Sequence, residues 1–200
     1  MDPLVQKFGK IGQNAKIPGL ILKVSMSETL VVDNQHIKVK QVEFVAKDGS
    51  QHVYTYVERQ PSLIVVPIDE KDGERRVLLL HEFRFPNKRR FWQFPMGGLP
   101  EGEDDVAHAK RELIDETGLN ADHLERIGQF FIDPGLNTQK GIIFVASSLT
   151  DTGKTDREAT EDIGEMEWKT LQEVEIMIKQ GEIDDAWTLS ALTYLRIFLS

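Results

Sequence analysis

Residues Gly97–Leu119 read GGLPEGEDDVAHAKRELIDETGL. Glu112, Asp115 and Glu116 fall in the last turns of a predicted helix that Gly118 stops, and a glycine-rich loop carrying Glu103 precedes it. Positions i, i+3 and i+4 share a helix face, so the three acids converge on one patch. Like charges at this spacing repel by about a few tenths of a kcal/mol per pair. The negative end of the helix dipole disfavours each acid by a further ~0.3–1 kcal/mol. A helix built only for stability would carry lysines there. An oxygen-liganded divalent cation reverses the sign of the whole arrangement.

The spacing is more specific than the charge. Five residues separate Gly97 from Glu103, seven separate Glu103 from Arg111, and the run closes as Glu112-Leu113-x-Asp115-Glu116-x-Gly118-Leu119. This resembles the Nudix box, G-x5-E-x7-R-E-U-x-E-E-x-G-U with U aliphatic. One position departs: Asp115, one methylene shorter, stands where the family has Glu. The resemblance implies a Nudix α/β/α sandwich with a mixed sheet, and a hydrolase that cleaves nucleoside diphosphates linked to another group. Gly97, Gly98 and Gly102 are then expected to let the backbone approach a metal and phosphates. Arg111 reads as a partner of these acids, His108 as a solvated surface residue, and Val106, Ala109 and Leu113 as an apolar stripe that packs the core.

Features outside the box look like the ADP-ribose and nucleoside-diphosphate-sugar pyrophosphatase branch of the family. They are a β-rich N-terminal segment, the run HEFRFPNKRRFWQFPMGG, Pro134 fifteen residues beyond Leu119, and the C-terminal GEIDDAWTLSALTYL. Together they span roughly residues 50 to 197. Two departures bear on ADP-ribose specifically: Gln139 lies where an acid often follows the Pro-Gly pair, and Met96 replaces Ala before the glycine.

Composition agrees with a soluble enzyme. Two hundred residues, 40% hydrophobic, suit one domain with a small appendage. Without cysteine there is no disulfide and no thiolate metal site. No apolar run approaches a membrane span and no signal-peptide pattern opens the chain, so a cytoplasmic location is expected. A net charge of −9 argues against a nucleic-acid polymer as partner. It leaves room for an anionic small molecule at a bound cation.

Residues 1–57 read as an N-terminal β-rich segment and candidate dimerisation element, because a few strands bury too little core to stand alone. Residues 58–200 read as the hydrolase domain. SLIVVPI and VLLLHEF flank an Asp72-Gly73 turn. RIGQFFID, GIIFVASSL and EMEWKTL read as later strands, and Leu171–Lys179 and Ala186–Leu199 as helices.

The resemblance then assigns roles. Mg²⁺, or Mn²⁺ in its place, is expected on Glu112 and Glu116, with Asp115 helping and the Met96 carbonyl as a further ligand. The general base is sought in the acidic stretch DREATEDIGEME, where Glu158, Glu161, Asp162 and Glu165 are candidates and Glu161 is preferred. Glu161, Glu116 and Arg111 form the expected catalytic set. Arg84 is a candidate phosphate contact, since a guanidinium binds phosphate in bidentate fashion. Arg59 is a candidate base-stacking residue, whereas Phe91 and Trp92 read as core. The implied reaction converts ADP-ribose to AMP and ribose 5-phosphate. GDP-mannose or another sugar nucleotide is the alternative substrate, and a non-catalytic nucleotide sensor the alternative class.

Overall fold

A computed structural model describes residues 27–46 and 48–200 and divides the chain into two compact units. Among the described residues, one comprises those up to 59 with 133–139, the other 60–132 with 140–200. The lead-in and the start of GLILKVSMSETLVV lie outside the described residues.

The first unit is an antiparallel sheet of β1 (Ser27–Asp33), β2 (Lys38–Val45) and β3 (Gln51–Glu58) in that spatial order. Asn34 starts the β1–β2 turn by accepting the His36 and Ile37 N–H groups on its side chain, both at 2.9 Å. Lys40 on β2 pairs with Glu28 and Glu58 on the flanking strands. The segment Asp133–Gln139 joins this unit. Val57 N–H donates to the Leu136 carbonyl at 2.8 Å, and Thr138 N–H to the Val57 carbonyl at 3.0 Å. No described residue of the three strands is fully buried.

The second unit is built on a mixed sheet. Its strands are β4 (Ser62–Lys71), β5 (Glu74–Arg84), β6 (Arg89–Gln93), β7 (Met96–Gly98), β8 (Leu119–Phe131), β9 (Lys140–Asp151) and β10 (Ile163–Thr170). The order is β10-β5-β4-β9-β8, with β6 on β5 and β7 on β4. Only the β4–β9 pairing is parallel among these ladders. The helices are α1 (Asp105–Thr117), α2 (Leu171–Gln180) and α3 (Ala186–Leu199).

Strand alternation explains the layers. Leu63 and Val65 on β4, with Ile142, Phe144 and Ala146 on β9, face Ala109 and Leu113 of α1. Ile64, Val66, Ile143 and Val145 face the opposite way, onto Val174 and Met177 of α2 and Ala191, Leu192 and Leu195 of α3. The central strand β4 is therefore apolar on both faces, and Leu63–Val66 are wholly buried. Asp72 (φ 55°) and Gly73 (φ 79°) make the tight β4–β5 hairpin that their sequence predicts. Leu113, wholly buried under α1, carries a clear expectation. Leu113→Ala costs about 2.7–5 kcal/mol, read as a lower denaturant midpoint at unchanged slope.

Two expectations shift. Val106 is 44% exposed, so the apolar stripe of α1 consists of Ala109 and Leu113. The strand expected from Arg126 begins at Leu119, directly after the helix stop, because β9 is long enough to pair with all of it around a bulge between Arg126 and Gly128. Among the described residues, no helix is long and apolar enough to cross a membrane.

Candidate active site

Local chemistry sets the acidic helix in place. Asp104 caps α1 by accepting the Ala107 N–H at 2.8 Å. At the other end Gly118 takes a left-handed conformation (φ 75°) and its N–H donates to the Ile114 carbonyl at 2.7 Å. No basic residue occupies the last turn. Gly97 on β7 lies against the helix: a Cβ there would stand 2.2 Å from Glu112 Cδ. The glycine thus leaves the space that the Glu112 carboxylate occupies. Gly97→Ala is expected to keep the melting midpoint within a few degrees, since only a flexible carboxylate must move. It should lower turnover about a hundred-fold, the scale of a 1 Å misplacement. Thermal melts and initial rates on one preparation check both halves.

The acids form a graded set. Glu116 is 3% exposed, and its carboxylate accepts the Met96 N–H at 3.1 Å. Burial, then the charges of Glu161, Glu82 and Glu112, push its pKa well above the ordinary carboxylate range. Glu112 is also raised, first by burial and then by Glu161 and Asp115, with His108 opposing. Glu161 is raised by burial and by Glu158, against the Glu158 N–H bond and the charges of Arg84 and Arg157. Across α1 and the loop before β10, the charge of Glu161 thus weighs on both Glu112 and Glu116. Asp115 stands partly apart: burial raises it, and Asp156 is the acid that weighs most on it.

The remaining candidates fall in different places. Arg84 at the end of β5 donates Nε to Gln93 Oε1 at 2.8 Å and pairs with Glu82 at 2.7 Å. A third of the side chain is left in solvent. Arg111 donates to Glu103 Oε2 at 2.7 Å, tying the glycine loop to the helix. Glu103 is lowered by that bond, then by His108. Arg59 belongs to the N-terminal unit, where its N–H donates to Thr138 Oγ1 at 3.2 Å. Phe91 is buried, and Trp92 stacks on His81 with centroids 4.3 Å apart. Gln139, in the position of the missing acid, is buried, with its N–H on Asn137 Oδ1 at 2.9 Å.

Two residues change standing. His108, expected in solvent, is 3% exposed. Its Nδ1 lies 2.8 Å from Glu103 Oε2, and its Nε2 lies 2.8 Å from Glu112 Oε1 without hydrogen-bond alignment. One helical turn separates His108 from Glu112, and the glycine loop folds over both. Glu82 was not singled out in sequence, yet it is 5% exposed beside Arg84. Burial, then Glu161 and Asp162, raise its pKa against the pull of Arg84. The signal was an acid inside the apolar run VLLLHEF, on the strand face it shares with Arg84. The β5–β10 register, pairing Glu82 with Ile163, brings it near Glu161.

Among the described residues no three carboxylate or imidazole groups already form a closed ligand set. The donor chemistry nevertheless suits a hard cation. Glu112, Glu116, Asp115, Glu161 and the Met96 carbonyl offer only oxygen. Burial first, and the neighbouring acids after it, raise the pKa values of Glu112, Glu116 and Glu161, and a bound cation would favour their charged forms.

A family model described as NUDIX domain matches residues 58–191. The ADP-ribose pyrophosphatase of Bacillus subtilis (strain 168) is 27% identical over 179 residues, 86% of this chain and 95% of that relative. The methanol dehydrogenase activator of Bacillus methanolicus is 28% identical over 160 residues, 78% of this chain and 84% of the relative. The GDP-mannose pyrophosphatase of Yersinia pestis (strain Pestoides F) is 27% identical over 127 residues, 60% of this chain and 64% of the relative. A crystal structure of an ADP compounds hydrolase aligns with a TM-score of 0.76 at 21% identity, covering 88% of this chain and 94% of that one. At that identity the likeness speaks for the fold.

Proposed function

This chain belongs to the NUDIX domain family, and we propose that it is a metal-dependent pyrophosphatase of nucleoside diphosphate sugars, acting on ADP-ribose to give AMP and ribose 5-phosphate. The observation that carries the reading is the acid set of α1 and the loop before β10: Glu116 is buried, Glu112 and Glu161 are half-buried, and the pKa of each is raised. The relative named ADP-ribose pyrophosphatase, matched over 95% of its length, supports the substrate class.

Glu112 and Glu116 would hold Mg²⁺, with Asp115 and the Met96 carbonyl in support. The cation supplies charge neutralisation at the diphosphate and a lowered pKa for bound water. Met96 N–H fixes one Glu116 oxygen, which orients the carboxylate. Glu161, whose pKa is raised above the ordinary carboxylate value by burial and Glu158, accepts the proton of the attacking water. Arg84, held by Glu82 and Gln93, presents its free edge to a phosphate oxygen. Arg111 acts indirectly, by anchoring Glu103.

GDP-mannose is the second reading for substrate, supported by the relative of that name and by Gln139 and Met96 as departures from the ADP-ribose pattern. Chromatography of products from ADP-ribose, GDP-mannose and UDP-glucose with Mg²⁺ decides it: faster release of GMP than of AMP would overturn the ADP-ribose assignment. The sensor reading predicts nucleotide binding without any product. A Glu112→Gln variant that still turned over at the wild-type rate would contradict the metal role of the helix.

A cytoplasmic homodimer is proposed with this activity. The support is the three-stranded unit, where Val31, Val32, Val53 and Tyr54 are exposed large hydrophobic residues. Light scattering at micromolar concentration is expected to give twice the 22.8 kDa chain mass; a monomer would overturn the proposal.

A further inference from the structure

We propose that Arg157 and Arg90 are positioning residues for Glu161, holding the loop that carries it from two sides. The proposal rests on the reading of Glu161 as the base. The loop between β9 and β10 closes on itself: Glu161 N–H donates to the Glu158 carbonyl at 3.0 Å, and Glu158 N–H donates to Glu161 Oε2 at 2.9 Å. The carboxylate is therefore fixed to its own loop and goes where the loop goes. A loop with so few internal bonds opens locally at small cost, so its place must be set from outside.

Backbone bonds tie its ends, Asp156 N–H to the Asp115 carbonyl and Phe83 N–H to the Asp162 carbonyl, both at 3.0 Å, and two guanidinium groups brace it between them. Arg157, four residues before Glu161, donates Nε to the Glu116 carbonyl at 3.0 Å and Nη1 to the Ile163 carbonyl at 3.2 Å. The first acceptor is one of the orphan carbonyls at the C-terminus of α1, where a cation is also favoured by the dipole. Arg90 on β6 donates Nη1 to the Asp162 carbonyl at 2.9 Å and to the His81 carbonyl at 3.0 Å. Its Nη2 reaches the Asp162 carboxylate at 2.6 Å. Gly164 leaves room for this: a Cβ there would lie 3.1 Å from Arg90 Nη1. One tie thus runs to the helix bearing Glu112 and Glu116. The other runs to the strands bearing Glu82 and Arg84. Glu161 lies between the two. Each arginine bridges separate backbone carbonyls in fixed directions, which a planar fork does and a lysine ammonium does not.

Amide hydrogen exchange and steady-state kinetics of Arg157→Gln and Arg90→Gln test the latch. Exchange at the Glu158 and Glu161 amides is expected to speed at least about ten-fold in each variant, with the amides of α2 unchanged. Turnover should fall about ten- to a hundred-fold while KM stays within about two-fold. In a Glu161→Gln background neither substitution should lower kcat further, since coupled residues are not additive. Arg157→Gln also removes a bond to α1, so Arg90→Gln, whose bonds run to His81 and Asp162, serves as the variant that leaves the helix alone. Unchanged exchange at both amides overturns the proposal, as does a full additional loss in the Glu161→Gln background. An enzyme silent on every sugar nucleotide overturns the functional reading, and the exchange rates then still decide the latch.

Discussion

Glu161→Gln is expected to lower kcat on a nucleoside diphosphate sugar by about a hundred- to ten-thousand-fold, the range for loss of a general base, with KM changed little. The amide keeps the shape and can still accept the Glu158 N–H, so the loop stays folded; only proton acceptance is lost. The environment supports this assignment among the acids of the loop. Glu161 is the one whose charge weighs on both Glu112 and Glu116, and its own pKa is raised by burial and Glu158. A rate profile should lose its acidic limb in the variant. Wild-type kinetics in Glu161→Gln would move the base to Glu158, Asp162 or Glu165.

Glu116→Gln is expected to abolish metal-dependent turnover, by about a thousand-fold or more given the several kcal/mol a catalytic cation supplies. It should also stabilise the metal-free protein. Glu116 is buried, and its folded pKa lies well above the ordinary value of 4.5 because of burial and of Glu161, Glu82 and Glu112. The folded state then binds its proton more tightly than the unfolded chain. That contribution to stability is fully present below pH 4.5 and is lost as pH rises through the raised folded value. Glu112, Glu161 and Glu82 shift the same way. Metal-free protein should therefore lose stability from about pH 4.5 toward neutrality, and Mg²⁺ should restore it. Glu103 and Glu173 are shifted down instead, so their contributions fade only on the acid side of that window. Thermal melts in EDTA across this range should show a shallower decline for Glu116→Gln, at about 2–4 °C for each kcal/mol recovered. Parallel pH curves for variant and wild type would reject the buried-charge account of this helix.

Much of this site was legible because its chemistry is local in sequence. The spacing from Gly97 to Gly118 names the acids, the loop and the helix stop within one continuous stretch. The apolar runs of β4 and β9 announce a central sheet covered on both faces, and Asp72-Gly73 announces its hairpin. Burial is a long-range property, and there the sequence was less informative. His108 reads as a surface residue until the glycine loop and Glu112 close over it. Glu82 looks like an ordinary strand acid until β10 brings Glu161 beside it. Arg90 and Arg157 act on backbone carbonyls, which carry no side-chain signature. The early start of β8 follows from the length of its partner β9, which no pattern within Leu119–Glu125 encodes.

The central claim is that the α1 carboxylates and a divalent cation together hydrolyse a sugar nucleotide diphosphate. Initial rates of AMP release from ADP-ribose, for wild type and Glu112→Gln across a Mg²⁺ titration, test it most directly. The account predicts saturable Mg²⁺-dependent release in the wild type, suppression by EDTA, and a loss of about a thousand-fold in the variant. Equal AMP release with and without divalent cation, or a Glu112→Gln rate matching the wild type, would contradict it.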